Sequence, residues 1–146
     1  MKKDSRLSRA LHVILHLAES EVPATSERLA KILQTNPVVV RRLLAGLRDQ
    51  GIVYSHKGHG GGWQLACDLQ TTSLRDIYRA IGSPGCIALD HQEENSTCLV
   101  EQAVNVALGD AFDAAEQLLL DRFEQVTLAT LSADFNARYA LIASKE

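Results

Sequence analysis

Two adjacent arginines, a run of glycines and two widely spaced cysteines are the residues of this 146-residue chain whose types and spacing could do chemistry. Arg41 and Arg42 follow Asn36, Pro37, Val38, Val39 and Val40. A guanidinium can give two parallel hydrogen bonds to the acceptors of guanine, and a valine methyl can touch the methyl of thymine. Three successive valines are spaced about 100° apart around a helix, so they cannot all face a core. At least one must be exposed, and beside two arginines it suits a DNA groove better than water. The glycines Gly58, Gly60, Gly61 and Gly62 lie in SHKGHGGG, with Lys57 and His59 placed to meet phosphate or enter a minor groove. A nucleotide-cradling loop would need a following helix and, in the Walker form, GK[ST]. Here WQLA follows and reads as a strand.

The elements that must position these groups are mostly helical. Leu7, Ala10, Leu11, Ile14, Leu15 and Ala18 recur at steps of three and four and predict a first helix over 5–18. Thr25 or Ser26 can cap a second, short helix carrying Leu29, Ala30, Ile32 and Leu33. Asn36 before Pro37 is a start signal for a third, running to about Gln50 and ended by Gly51, with Val40, Leu43, Leu44 and Leu47 as its buried stripe. Residues 52–54 and 63–65 predict two strands of a hairpin, and a helix follows from Ser73 to Ile81. Three helices followed by a two-stranded wing make a winged helix-turn-helix. In such a module the third helix enters the major groove by its amino-terminal residues, while the second aims its amino end at a phosphate. Ser26, Asn36, Pro37, Val38, Val39, Arg41, Arg42, Lys57 and His59 are therefore the expected DNA-binding residues.

From Cys98 to about Gln125 the apolar residues Val100, Ala103, Val104, Ala107, Leu108, Ala111, Phe112, Ala115, Leu118, Leu119 and Phe123 read as one helical face. A helix of roughly 40 Å with so wide a stripe wants a partner, most simply the same helix of a second subunit. The alternative is a helix folded back on its own domain. After Val126 a short closing helix is expected. The fold class is thus mainly α with a small β-hairpin wing. Residues 1–82 form a winged helix-turn-helix, 83–97 a sensor loop, and 98–146 the dimerisation helix and closing segment.

Composition narrows the function. At 146 residues the chain allows one compact domain and not two large ones, and its 46% of hydrophobic residues is enough to bury a core. The net charge of −3 hides an asymmetry: residues 1–66 hold ten Lys and Arg against five Asp and Glu, the remainder five against thirteen. A basic front at +5 meeting phosphates, with an acidic rear at −8 held away, fits a nucleic-acid binder. No apolar stretch approaches the ~20 residues of a membrane span, so no membrane partner is expected and the reading is cytoplasmic. Cys67, Cys86 and Cys98 are too few and too scattered for a disulfide scaffold or a CxxC zinc site. His12 and His16, one helical turn apart, lack a third ligand for a metal. Trp63 is expected to serve packing in the wing or core. No catalytic arrangement emerges, and the chain does not read as an enzyme.

The run GHGGGWQLACDLQTTSLRDIYRAIG, preceded by LLAGLRDQGIVYSHK, resembles the Rrf-two family of bacterial winged-helix transcriptional regulators, the IscR, NsrR and CymR superfamily. The matching stretches are Leu47–Ile52, Gly58–Ala66 and Leu74–Ala80, and SRLSRALHVILHLA with TNPVVVRRLL looks closest to the YwnA-like branch. The resemblance implies a homodimer on a palindromic operator, usually as a repressor. Cluster-binding members carry C-x5-C-x5-C after the wing. Here Cys86 and Cys98 match the outer positions, Gln92 replaces the middle one, and Glu101 stands three residues beyond Cys98 where a histidine is found in the IscR type. Two thiolates fall short of the four ligands an iron–sulphur cluster takes, unless His12, His91 or a carboxylate completes the set. The cofactor expectation is none, with a cluster sensor as the alternative. A thiol switch needs less. With Asn95 or Ser96 as cap, Cys98 falls in the first turn of the long helix, where the dipole favours thiolate, and Cys86 could resolve its sulfenic acid. Alternatively Cys98 is a small buried residue at the start of that helix. Cys67 is expected to be structural.

Overall fold

The computed structural model describes residues 5–85 and 97–144. The expected sensor-loop positions Cys86, His91, Gln92, Asn95 and Ser96 lie outside the described residues.

Six helices and one antiparallel hairpin follow in the order α1 (Arg6–Ala18), α2 (Ser26–Leu33), α3 (Pro37–Asp49), β1 (Val53–His56), β2 (Gly62–Leu65), α4 (Leu74–Ala80), α5 (Leu99–Glu124) and α6 (Leu128–Ala143). The three-to-four spacing on α1 buries Ala10, Val13, Ile14 and Leu17. Thr25 caps α2, its hydroxyl accepting from the Arg28 amide, and Gln34 in a left-handed conformation ends it. At α3 the Asn36 side chain accepts from the Val38 amide at 2.8 Å, with Pro37 as the first helical residue. Both follow the capping chemistry of a helix whose first amides have no internal partner. Val40, Leu44 and Leu47 are completely buried and join α1, Leu29 and Ala30 of α2, Val53 and Ile77 in one core.

The hairpin pairs Val53 with Leu65 and His56 with Gly62. The first strand therefore starts one residue later than expected and ends two residues later. The segment before α2 joins the outer edge of β2: Ala24 exchanges both backbone hydrogen bonds with Trp63, at 2.8 and 3.0 Å. This contact sits so close that a Cβ on Gly62 would lie 2.7 Å from the Ala24 carbonyl oxygen.

Behind the wing, Ser73 and Asp76 form a reciprocal capping box on α4. The connection to α6 is longer and deeper than the short closing helix expected from sequence. The Leu74 amide donates to Val126, the Leu128 amide to Thr72, and Leu128 is completely buried in the core. α6 then runs for 16 residues, because Thr127 caps it and no Gly or Pro interrupts 128–143.

The long helix α5 has 26 residues, about 39 Å. Its apolar residues do not share one face. Phe112, Leu119 and Phe123 are half-buried, while Val100, Ala103, Val104, Ala107, Leu108, Ala111, Ala115 and Leu118 are exposed. The reason is angular: eleven positions spanning more than half a turn cannot meet a single surface. One side docks on α4, where Arg75 reaches Asp121 and Glu124, Tyr78 donates to Glu116, and the Tyr78 and Phe123 rings stand 6.4 Å apart. The other side is left open in the single chain, with Leu118 at 73% exposure. Among the described residues no helix is long and apolar enough to cross a membrane.

On α1, His12 and His16 hydrogen-bond through their Nε2 atoms at 3.1 Å, beside Leu15, Glu19 and Phe135 of α6. Glu19 accepts from Ser132 and Asn136 of α6. Burial, then the neighbouring His12 and Arg28, hold the pKa of His16 below its ordinary value.

Two outcomes are expected in urea unfolding. Gly62→Ala meets the Ala24 carbonyl and should cost about 3 kcal/mol, against about 1 kcal/mol for Gly58→Ala, whose Cβ would enter open space. Equal costs would mean that the close approach is not there. The neutral form of His16 is the one the fold prefers, so stability is complete above the unfolded value of about 6.5 and declines as pH drops through the lower folded value. Between pH 7.5 and pH 5.5 the unfolding midpoint of His16→Gln should fall less than that of the parent chain; identical losses would rule the histidine out.

Candidate nucleic-acid interface

The amino-terminal half of α3 separates its side chains by role. Val40 is completely buried, while Val38 and Val39 are 46% and 39% exposed. Arg41 and Arg42 are exposed beside them. The three valines thus divide as their spacing requires, one inward and two outward. Asn36 is exposed but its side chain is engaged in capping, and Pro37 is half-buried. Arg42 has no ion pair or hydrogen bond with any described residue. Arg41 is held by Glu27 in the first turn of α2.

Three successive residues at the start of α2 each offer an oxygen to a different element. Thr25 accepts from the α2 backbone. Ser26 accepts from the indole Nε1 of Trp63 at 3.0 Å. Glu27 accepts from Arg41 of α3. Ser26 is buried, with 6% of its surface exposed, so its hydroxyl does not face outward as expected for a phosphate contact. The physical reason is that Trp63, half-buried on the wing strand, needs an acceptor for its N–H, and Ser26 is the hydroxyl opposite. Trp63 therefore packs as expected and also latches the wing to α2, a role that a single sequence does not announce. No spacing rule would have paired Glu27 with Arg41 either, since fourteen residues and a turn separate them.

Lys57 and His59 are exposed on the turn between β1 and β2. Gly61 makes that turn close: a Cβ there would lie 2.5 Å from the His56 carbonyl oxygen. On the strands, Tyr54 donates to Oε1 of Gln64 at 2.9 Å, and Nε2 of His56 lies 2.6 Å from the same oxygen. The Tyr54 and His56 rings meet edge to face at 4.7 Å. This cross-strand cluster stiffens the wing on its exposed side. α3 and the wing tip thus carry Arg41, Arg42, Lys57 and His59, and the arrangement can meet two stretches of a polyanion at once, the larger basic element by a groove and the smaller by its backbone.

Cys98 occupies the cap position itself, with α5 beginning at Leu99. It is therefore one residue ahead of the expected first turn, and within the single chain it is exposed. Cys67 is half-buried beside the core, and burial raises its thiol pKa, which suits a structural residue. Among the described residues no three His, Cys, Asp or Glu side chains gather as a metal site. Of the four ligands an iron–sulphur cluster takes, Cys86 and Cys98 supply two thiolates; Cys86, His91 and Gln92 lie outside the described residues, and Glu101 is on α5.

Comparison with known proteins places this geometry. A family model described as "Rrf2: Iron-dependent Transcriptional regulator" matches residues 3–134. The "Putative HTH-type transcriptional regulator YwnA" of Bacillus subtilis (strain 168) is 33% identical over 116 residues, covering 80% of this chain and 86% of that protein. YffB of Lactococcus lactis, described in the same words, is 29% identical over 134 residues, covering 90% and 82%. Among solved structures, one described as "a putative transcriptional regulator" from Lactobacillus plantarum superposes with a TM-score of 0.76 at 27% identity, covering 97% of this chain and 96% of that one. CymR of B. subtilis, the global cysteine regulator, shares the fold at a TM-score of 0.61 and 21% identity, covering 91% and 97%.

Proposed function

The chain belongs to the Rrf2 family of transcriptional regulators, and on that premise we propose that it is a homodimeric repressor that reads its operator with α3. The observation that carries this is the division of the α3 surface, with Val40, Leu44 and Leu47 buried and Val38, Val39, Arg41 and Arg42 outward. Arg41 and Arg42 give the forked donors that guanine accepts, and Val38 and Val39 give methyl contacts for thymine. Asn36 and Pro37 set the amino end of α3. Ser26 acts through Trp63, holding the wing so that Lys57 and His59 reach phosphate or the minor groove beside the site.

Residues 1–82 serve as the DNA-binding unit and 98–146 as the dimerising unit, with 83–97 between them as the sensor segment. The exposed apolar side of α5 supports a second copy as its partner, because a stripe of this length is costly to leave in water. Two-fold pairing would set the two α3 helices about one turn of DNA apart. Cys98, exposed at the positive end of α5, supports control by oxidation. Its thiolate attacks a peroxide oxygen, breaking the O–O bond to leave a sulfenic acid and water after protonation. The thiol of Cys86 then condenses with it to a disulfide, releasing a second water. The change at the head of α5 alters the dimer and loosens the operator.

Two mobility-shift experiments test this, using an operator selected by the protein from random duplexes. Arg41→Ala with Arg42→Ala should lower operator affinity by about 100-fold, given 1–3 kcal/mol per base-reading pair, while sedimentation still reports a dimer. Unchanged affinity would remove α3 from the reading role. Peroxide should release the parent chain and leave Cys98→Ser bound; release of both alike would end the thiol-switch reading.

A further inference from the structure

We propose that Glu27 is a specificity-determining positioning residue, which holds the Arg41 guanidinium for base reading and keeps it off the phosphates. The inference rests on the reading of α3 as the recognition helix. Three observations carry it. Glu27 lies in the first turn of α2, at the end of the helix expected to face a phosphate, where an acidic side chain weakens contact with any duplex. It reaches across to α3 and pairs with Nη2 of Arg41, both side chains being about half exposed at 57% and 53%. Its backbone is fixed on one side, because Thr25 caps the helix and Ser26 is tied to the wing through Trp63.

The chemistry of the pair is selective. The carboxylate engages Arg41 through one nitrogen. A guanidinium has five N–H donors in a rigid fork, so the others remain for the two acceptors of guanine. What the pair removes is the freedom of a long side chain to swing to whichever phosphate is nearest. Arg42, one residue on, has no such tether among the described residues, and is the natural phosphate-seeking neighbour. Glu27 therefore lowers affinity for every sequence by its charge, while the tethered Arg41 rewards only the base pair that fits it. The second effect is the one that widens the gap between operator and random DNA.

The test compares the parent chain, Glu27→Gln, Arg41→Ala and the double variant, by titration against the selected operator and against a random duplex over a range of salt. An exposed pair adds little to stability, so Glu27→Gln should fold normally, which its unfolding midpoint verifies. Glu27→Gln should bind random duplex about three- to ten-fold more tightly, with a salt slope steeper by about one phosphate. Its operator-to-random ratio should fall about ten-fold, with relaxed preference at the base pair Arg41 reads. In the Arg41→Ala background the same change should leave the ratio where it was. A ratio that is unchanged or higher in Glu27→Gln, or one that falls equally without Arg41, overturns the proposal alone. If the parent chain selects no sequence from the random pool, the recognition-helix reading fails, and this inference with it.

Discussion

The approach of the wing to the start of α2 is the constraint on which the rest of the surface formed by α2, α3 and the wing depends. Two backbone hydrogen bonds between Ala24 and Trp63 make the segment before α2 a partial third strand of the hairpin. The indole of Trp63 adds a third bond to Ser26. A two-stranded hairpin alone is marginal in water, and this one gains both a strand partner and a half-buried aromatic anchor. Its angle to α3 is thereby set by contacts that also set where α2 begins. Gly62 belongs to this arrangement, since a backbone approaching another at this distance leaves no room for a side chain.

The same start of α2 divides the electrostatics of the surface. Over residues 1–66 the chain is basic, yet its one acidic side chain at the head of α2 is engaged with Arg41 of α3. The acidic second half contributes differently. Asp121 and Glu124 of α5 neutralise Arg75 of α4, which is only 17% exposed, and Glu116 accepts from Tyr78. These carboxylates fasten the long helix to the winged domain while the basic residues of α3 and the wing tip lie elsewhere.

Much of the fold was legible in the sequence because each helix start carries its own local chemistry. Thr25, Asn36 and Ser73 are capping residues followed by helical periodicity, and the period changes to two at the wing. The outward direction of Val38 or Val39 followed from counting valines alone. What was not legible depends on contacts between distant residues. The inward turn of Ser26 is decided by an indole 37 positions away, and the Glu27–Arg41 pair by the crossing of two helices. The apolar positions of α5 looked like one stripe because a helical wheel gives directions without saying which of them a neighbouring element occupies. The burial of Leu128 and the length of α6 were missed for the same reason: the segment after Val126 carries no strong local mark, and it enters the core through backbone bonds at Thr72 and Leu74.

The way α5 is fastened has a mechanical result. The contacts that Arg75 and Tyr78 of α4 make with Glu116, Asp121, Phe123 and Glu124 lie toward the carboxy end of a 26-residue helix. A rigid rod turning about those contacts acts as a lever: over the stretch from Glu116 to Leu99, about 26 Å, a tilt of 10° moves the Leu99 end by about 4 Å. Adjustments of less than an ångström among Arg75, Tyr78 and Phe123 are thus magnified at Leu99, and a push at Leu99 returns to the winged domain as torque with little displacement.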